Sequence, residues 1–260
     1  MVLYPVFIFI FGAIVGSFLN VVILRYNTGQ SVIKGGSKCF ICGKNLKWHE
    51  LIPVVSFIIQ KGKCRKCGSK ISIQYPLVEL ITGIIFLLTF LKFYNTDYFL
   101  LSTIYYLIIF SLLIVIAVYD LRHQIIPNGF VYAFIILSLF AIFLENCNLE
   151  FVWNLDFGIC NLLGRILTGL IFFSFFGLVW LISRGEAMGF GDAKLALAIG
   201  WLLGPWQGFL ALLFSFCIGA IIGISLVFLA KKKYNMKSKI PFGPFLVLGA
   251  LIAFFINSSI

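Results

Sequence analysis

The sequence predicts an all-α polytopic membrane protein of about eight transmembrane helices with a small cytosolic zinc-knuckle loop domain. Three observations lead there. Hydrophobic residues fill 62% of 260 positions and charged residues only 11%, a balance far from that of a soluble domain. Apolar stretches run over about 3–24, 76–93, 98–119, 125–144, 159–182, 192–203, 208–230 and 241–257, several near the ~20 residues a spanning helix needs. The one sizeable polar segment, 25–75, contains two C-x-x-C pairs. The expected domains are therefore a first transmembrane helix (1–24), a cytosolic four-cysteine loop (25–75) and a seven-helix core (76–260).

No basic residue precedes the first apolar stretch, and Arg25 follows it. That pattern suits a retained anchor with its N-terminus outside better than a cleaved signal. In this orientation all 20 Lys and Arg except Lys92 and Arg165 fall on the inner side. The net charge of +11 is then explained by topology, and no nucleic-acid partner is needed.

Within 25–75, Cys39 and Cys42 face Cys64 and Cys67 across residues 43–63, a spacing suited to tetrahedral zinc held by four thiolates. Gly43 and Gly68 follow the pairs and suit the tight turns that aim backbone amides at sulfur. Cytoplasmic placement argues against disulfides, while a redox role is the lesser alternative. A closed set of four cysteines leaves no open position, so such a zinc would be structural. His49 reads as a loop residue that could replace a ligand. Cys147 and Cys160, in or beside an external loop, could form a disulfide, and Cys217 reads as a small packing residue.

Two acids stand where apolar runs meet charged segments: Asp120 after Tyr119, and Asp192 after Gly189-Phe190-Gly191. Carboxylates at the edge of hydrocarbon are functional hypotheses by default. Facing each other, they could share one proton, one acting as base on a water and the other as acid on the leaving group. Helix capping or interfacial anchoring would place them equally well, and a transporter's proton relay or an inactive scaffold are further readings. The stretch 192–203 rises only about 18 Å against a hydrocarbon of roughly 30 Å, so Asp192 is expected either on an extended helix or recessed in a shielded cavity. Helix polarity favours charge on Asp192, which opens a helix, and the proton on Asp120, which closes one. Gly12 with Gly16, Gly200 with Gly204 and Gly219 with Gly223 allow close helix packing or, alternatively, a groove for a substrate helix. Lys194 reads as a snorkelling lysine.

These residues carry a family resemblance. Gly12 to Ile23 ahead of Arg25, the cysteine loop, Trp48 with Leu51-Ile52-Pro53-Val54, and Tyr75-Pro76-Leu77-Val78-Glu79-Leu80 come first. Asp120-Leu121-Arg122, Ile126-Pro127-Asn128, Ala187 to Leu195 and Pro241-Phe242-Gly243-Pro244 follow. Over nearly its whole length the chain resembles the type IV prepilin peptidases, membrane G-x-G-D aspartic proteases. The resemblance implies that Asp120 and Asp192 are the catalytic pair and that Gly189 and Gly191 are the motif glycines. It implies prepilin or pseudopilin substrates, whose basic leader is cut after glycine on the cytoplasmic side of a bacterial inner membrane. It also implies methylation of the new N-terminus with S-adenosylmethionine, for which the sequence offers no G-x-G-x-x-G site and no assigned residue. Glu186 and Glu79, with Glu50, are the inner-face acids that could attract a basic leader or simply balance nearby lysines. A presenilin-like enzyme shares the two aspartate motifs, whereas the cysteine loop and Pro-Phe-Gly-Pro point to the prepilin enzymes.

Overall fold

The computed structural model describes residues 3–94, 96, 99–146, 155–186, 188–229 and 240–256. Every apolar stretch among them is helical, as backbone groups with no water to bond must pair within their own segment. The helices are α1 (Leu3–Arg25), α2 (Val55–Ile59), α3 (Gln74–Phe93), α4 (Phe99–His123), α5 (Asn128–Asn146), α6 (Leu155–Ile182), α7 (Phe190–Leu229) and α8 (Gly243–Ile256). Five are long and apolar enough to cross a membrane, and α5 and α8 are shorter apolar helices.

At 40 residues α7 is about 60 Å long if straight, twice the hydrocarbon thickness. It is not straight. Gly204, at φ 73° and ψ −171°, leaves the helical region, and Pro205 has no N–H with which to continue the ladder. Phe172 of α6 lies against both Gly200 and Gly208, so one side chain contacts α7 on both sides of the break. The parts of α7 before and after the break correspond to the sixth and seventh apolar stretches. Arg165 of α6 reaches the break, its Nη1 donating to the Leu202 carbonyl at 3.3 Å. One of the two basic residues outside the charge rule thus binds a broken helix end.

The chain forms two compact units, Met1–Val115 and Ile116–Ile260. In the first unit packing joins α1 to α3. Their seam uses small residues: a Cβ at Gly12 would meet Phe86 Cβ at 2.8 Å, and one at Gly16 would meet Glu79 Cα at 2.8 Å. Asn20 of α1 adds a hydrogen bond from Nδ2 to the Tyr75 carbonyl of α3 at 3.2 Å. This glycine pair therefore serves internal packing.

In the second unit α7 packs on α5, α6 and α8. A Cβ at Gly200 would stand 2.7 Å from Gly169 Cα, and Gly249 of α8 sits against the Ala211 carbonyl and Ser215 Oγ. Cys217 is exposed on the second arm of α7 and packs less than expected. Cys147 falls outside the described residues, as do the side-chain surroundings of Cys160.

Candidate active site

Asp120 and Asp192 both belong to the second unit and are 4% and 5% exposed. Asp120 lies in the last turn of α4. Gln124, at φ 54°, then turns the chain out of the helix while its N–H bonds the Asp120 carbonyl at 2.8 Å. Ile126 and Pro127 lead into α5.

Asp192 lies in the first turn of α7. Its Oδ2 accepts the Gly189 N–H at 3.2 Å, and its own N–H donates to the Gly189 carbonyl at 3.1 Å. A carboxylate at a helix start, taking an otherwise unpaired amide, is the usual N-terminal arrangement. Its other oxygen, Oδ1, is buried with no hydrogen-bond partner.

Two contacts hold the acids together, and neither is evident from spacing. Gly243, opening α8, donates its N–H to the Asp120 carboxylate. Ile126 is the shared neighbour: a Cβ at Gly191 would come within 2.8 Å of Ile126 Cβ, and one at Gly243 within 3.4 Å of Ile126 Cδ1. The end of α4, the lead into α5 and the starts of α7 and α8 therefore meet around Ile126. They stand close enough that the charge of Asp120 acts on Asp192. The glycine of Pro-Phe-Gly-Pro, placed just before a helix-opening proline, was the sequence signal for the Gly243 contact.

Lys194 is held rather than free. Its Nζ donates to Asn128 Oδ1 and Tyr132 Oη, both at 3.1 Å, and stands 4.9 Å from the Tyr132 ring centre and 5.2 Å from that of Phe190. It ties α7 to α5 two residues after Asp192.

Of the acids considered for leader recognition, Glu186 is exposed in the turn after α6. Glu79 is 7% exposed and committed within the first unit. It accepts the Val54 N–H at 2.7 Å and bonds Ser17. Val54 has φ 60°, an outlier for a β-branched residue, and this bond holds it there. Glu50 is likewise engaged, bonding Lys44 Nζ at 2.7 Å and the Lys47 N–H at 2.9 Å.

The sulfur atoms of Cys39, Cys42, Cys64 and Cys67 all lie within 4.8 Å of one another, a group that could hold a metal ion. Each knuckle repeats one construction. The leading cysteine donates its N–H across the turn, Cys39 to Lys44 and Cys64 to Ser69, and accepts at its carbonyl from Gly43 or Gly68. Both glycines have positive φ, 66° and 69°. Cys39 is pulled down to about 6, chiefly by the backbone amides of Cys42 and Ile41. The Lys44 amide lowers Cys42, but desolvation together with the thiols of Cys39, Cys67 and Cys64 outweighs it and pushes Cys42 up to about 11.

Residues 10–93 match the model of the bacterial peptidase A24 N-terminal domain, and residues 107–224 that of the type IV leader peptidase family. A prepilin leader peptidase/N-methyltransferase of Bacillus subtilis is 35% identical over 97% of this chain and 94% of its own length. One from Myxococcus xanthus is 36% identical over 85% of this chain, and the match spans 63% of that protein. A type 4 prepilin-like proteins leader peptide-processing enzyme of Escherichia coli is 30% identical over 98% of this chain and 94% of that protein. No solved structure matches.

Proposed function

The chain belongs to the type IV leader peptidase family, and from that premise we propose that it cleaves the basic leader of prepilins or pseudopilins by water activated between Asp120 and Asp192. The observation that carries this reading is the meeting of two buried carboxyl groups around Ile126, each with an oxygen bonded by a glycine amide. In the proposed reaction the pair holds one proton. Asp192 Oδ1, which accepts no hydrogen bond, takes a proton from water as its oxygen attacks the scissile carbonyl. The protonated partner donates to the developing oxyanion. Once the partner's proton has made the oxyanion a gem-diol, collapse breaks the C–N bond as Asp192 passes the proton it took from water to the leaving amine and the partner takes back one hydroxyl proton, and no covalent enzyme intermediate forms. The amides of Gly189 and Gly243 keep the outer oxygens fixed throughout.

We assign the active site to the cytoplasmic face of a bacterial inner membrane with the N-terminus outside, on the strength of the Lys and Arg distribution. The N-methyltransferase named in the relatives supports a second activity, transfer of a methyl group from S-adenosylmethionine to the new N-terminal amine. The donor is spent as a substrate, and no residue is assigned to it. Glu186, exposed and close in sequence to Asp192, is the proposed contact for the basic leader.

Zinc suits the cysteine group. Four thiolates at about 2.3 Å from a metal form a tetrahedron with edges of about 3.8 Å, and Cys39 Sγ stands 3.8 Å from Cys67 Sγ. Bound there it would close the loop and supply no chemistry to cleavage.

The test is cleavage of a prepilin-type substrate by purified protein in lipid, comparing the parent chain with Asp120→Asn and Asp192→Asn. Labelled S-adenosylmethionine reports methyl transfer in the same assay. Loss of cleavage in both folded variants is expected, and cleavage surviving in either one would sink the mechanism.

A further inference from the structure

The cysteine loop presents a surface that neither the acid pair nor the metal group uses. Its two knuckles share a backbone, with Lys38 bridging Asn45 in one and Lys63 bridging Lys70 in the other. Their tips differ in chemistry. Phe40 and Ile41, between Cys39 and Cys42, are 82% and 75% exposed. Arg65 and Lys66, between Cys64 and Cys67, are also exposed. Because all four sulfurs lie within 4.8 Å of one another, the apolar tip and the dibasic tip project from one small cluster. Trp48, 80% exposed, adds an aromatic of the kind that favours membrane interfaces.

The tether and the charge together identify what would cover this surface. Asn20 of α1 bonds the Tyr75 carbonyl at the start of α3, so both ends of the loop leave from the same end of a packed helix pair. Residues 26–73 are therefore confined near the membrane face at that end. From 25 to 70 the loop carries ten Lys and Arg and one acid, Glu50, which is already paired with Lys44. Apolar tips flanked by unbalanced positive charge fit a surface that is anionic outside and hydrocarbon beneath. An acidic protein segment would answer the charge but would leave the exposed apolar side chains of Phe40 and Ile41 without a purpose.

We propose that this part of the loop docks on anionic lipid, with Phe40 and Ile41 entering the boundary between headgroups and acyl chains while Arg65 and Lys66 pair with lipid phosphates. Docking fixes the loop against the bilayer and is independent of the cleavage chemistry.

The experiment is hydrogen exchange of the full chain in nanodiscs of phosphatidylcholine alone and with about one third phosphatidylglycerol, the anionic fraction supplying the surface potential. Amides around 39–42 and 64–67 are expected to exchange more slowly in the anionic discs, an effect that about 0.5 M salt reverses by screening. Arg65→Gln and Lys66→Gln should each cut the added protection about fivefold, the usual share of one basic residue at such a surface. Phe40→Ser with Ile41→Ser should remove most of it. Zinc content measured alongside separates lost docking from a collapsed loop, and the comparison of lipids with the parent chain decides the matter if a variant loses metal. Equal exchange in both discs would overturn the proposal. So would equal protection in neutral detergent, which would mean that the tips pack on protein.

Discussion

The amide of Gly243 bonds the Asp120 carboxylate, and a Cβ at position 243 would stand 2.6 Å from Asp120 Oδ2. Residue 243 therefore both orients Asp120 and excludes any larger side chain. Gly243→Ala is expected to displace the carboxylate and lower kcat for leader cleavage about 100-fold, the usual cost of roughly 1 Å of misplacement at a reacting group. Steady-state kinetics on folded protein would check it. A kcat within about threefold of the parent would remove Gly243 from the site.

Gly191 and Ile126 form a second close pair, with only 2.8 Å for a Cβ between them. Gly191→Ala is expected to cost cleavage by pushing Asp192 away from Asp120. Ile126→Gly, combined with it, removes the Cβ that the new methyl would meet and should recover a substantial part of the loss, so the two effects are non-additive. A double-mutant cycle on kcat/KM measures the coupling, and simple additivity would mean that Ile126 does not set the spacing of the acids.

On the α1–α3 seam the tight position is Gly16, where a Cβ would meet Glu79 Cα at 2.8 Å. Gly16→Leu should force the helices apart and destabilise the first unit by about 1–3 kcal/mol, the typical cost of overpacking. Because Ser17 and Glu79 lie on this seam and Glu79 holds Val54, faster proteolysis of the cysteine loop is expected with it. Unchanged proteolysis would separate the loop from the seam.

The Glu50 carboxyl is held below the usual carboxylate range by the Lys44 ammonium and then the Lys47 amide. A depressed acid stabilises the folded loop above its unfolded pKa of about 4.3, and that contribution is lost as pH falls through the lower folded value. Glu50→Gln should thus weaken the loop by about 1 kcal/mol at pH 7, the usual worth of such a capping bond. The gap between variant and parent should close in acid below the carboxylate range. Hydrogen exchange of residues 44–51 at matched pH, comparing the two chains, tests this. A gap that persists in acid would assign the effect to packing.

Much of the fold was legible because hydrocarbon imposes simple rules. Apolar runs near membrane length become helices, and the two cysteine pairs, each trailed by glycine, form the clustered knuckles their spacing predicts. Less legible were features that depend on which helix ends meet. Between the apolar stretches ending at 203 and starting at 208, Gly204 and Pro205 make a break within the single helix α7. Arg165 looked like an exception to the charge rule, but its donor groups meet a carbonyl freed by that break. The bonds from Lys194 to Asn128 and Tyr132 of α5 likewise have no signal in the sequence.

By itself, then, the sequence determined the helices, the cysteine group and the two acidic motifs, since each follows from local composition and short spacings. Only the tertiary structure decided that Ile126 separates Gly191 from Gly243, that the Gly243 amide belongs to Asp120, and that Glu79 is spent holding Val54. Those are contacts between residues far apart in the chain. They arise where helix ends pack to within the radius of one missing Cβ, a distance no pattern along the sequence encodes.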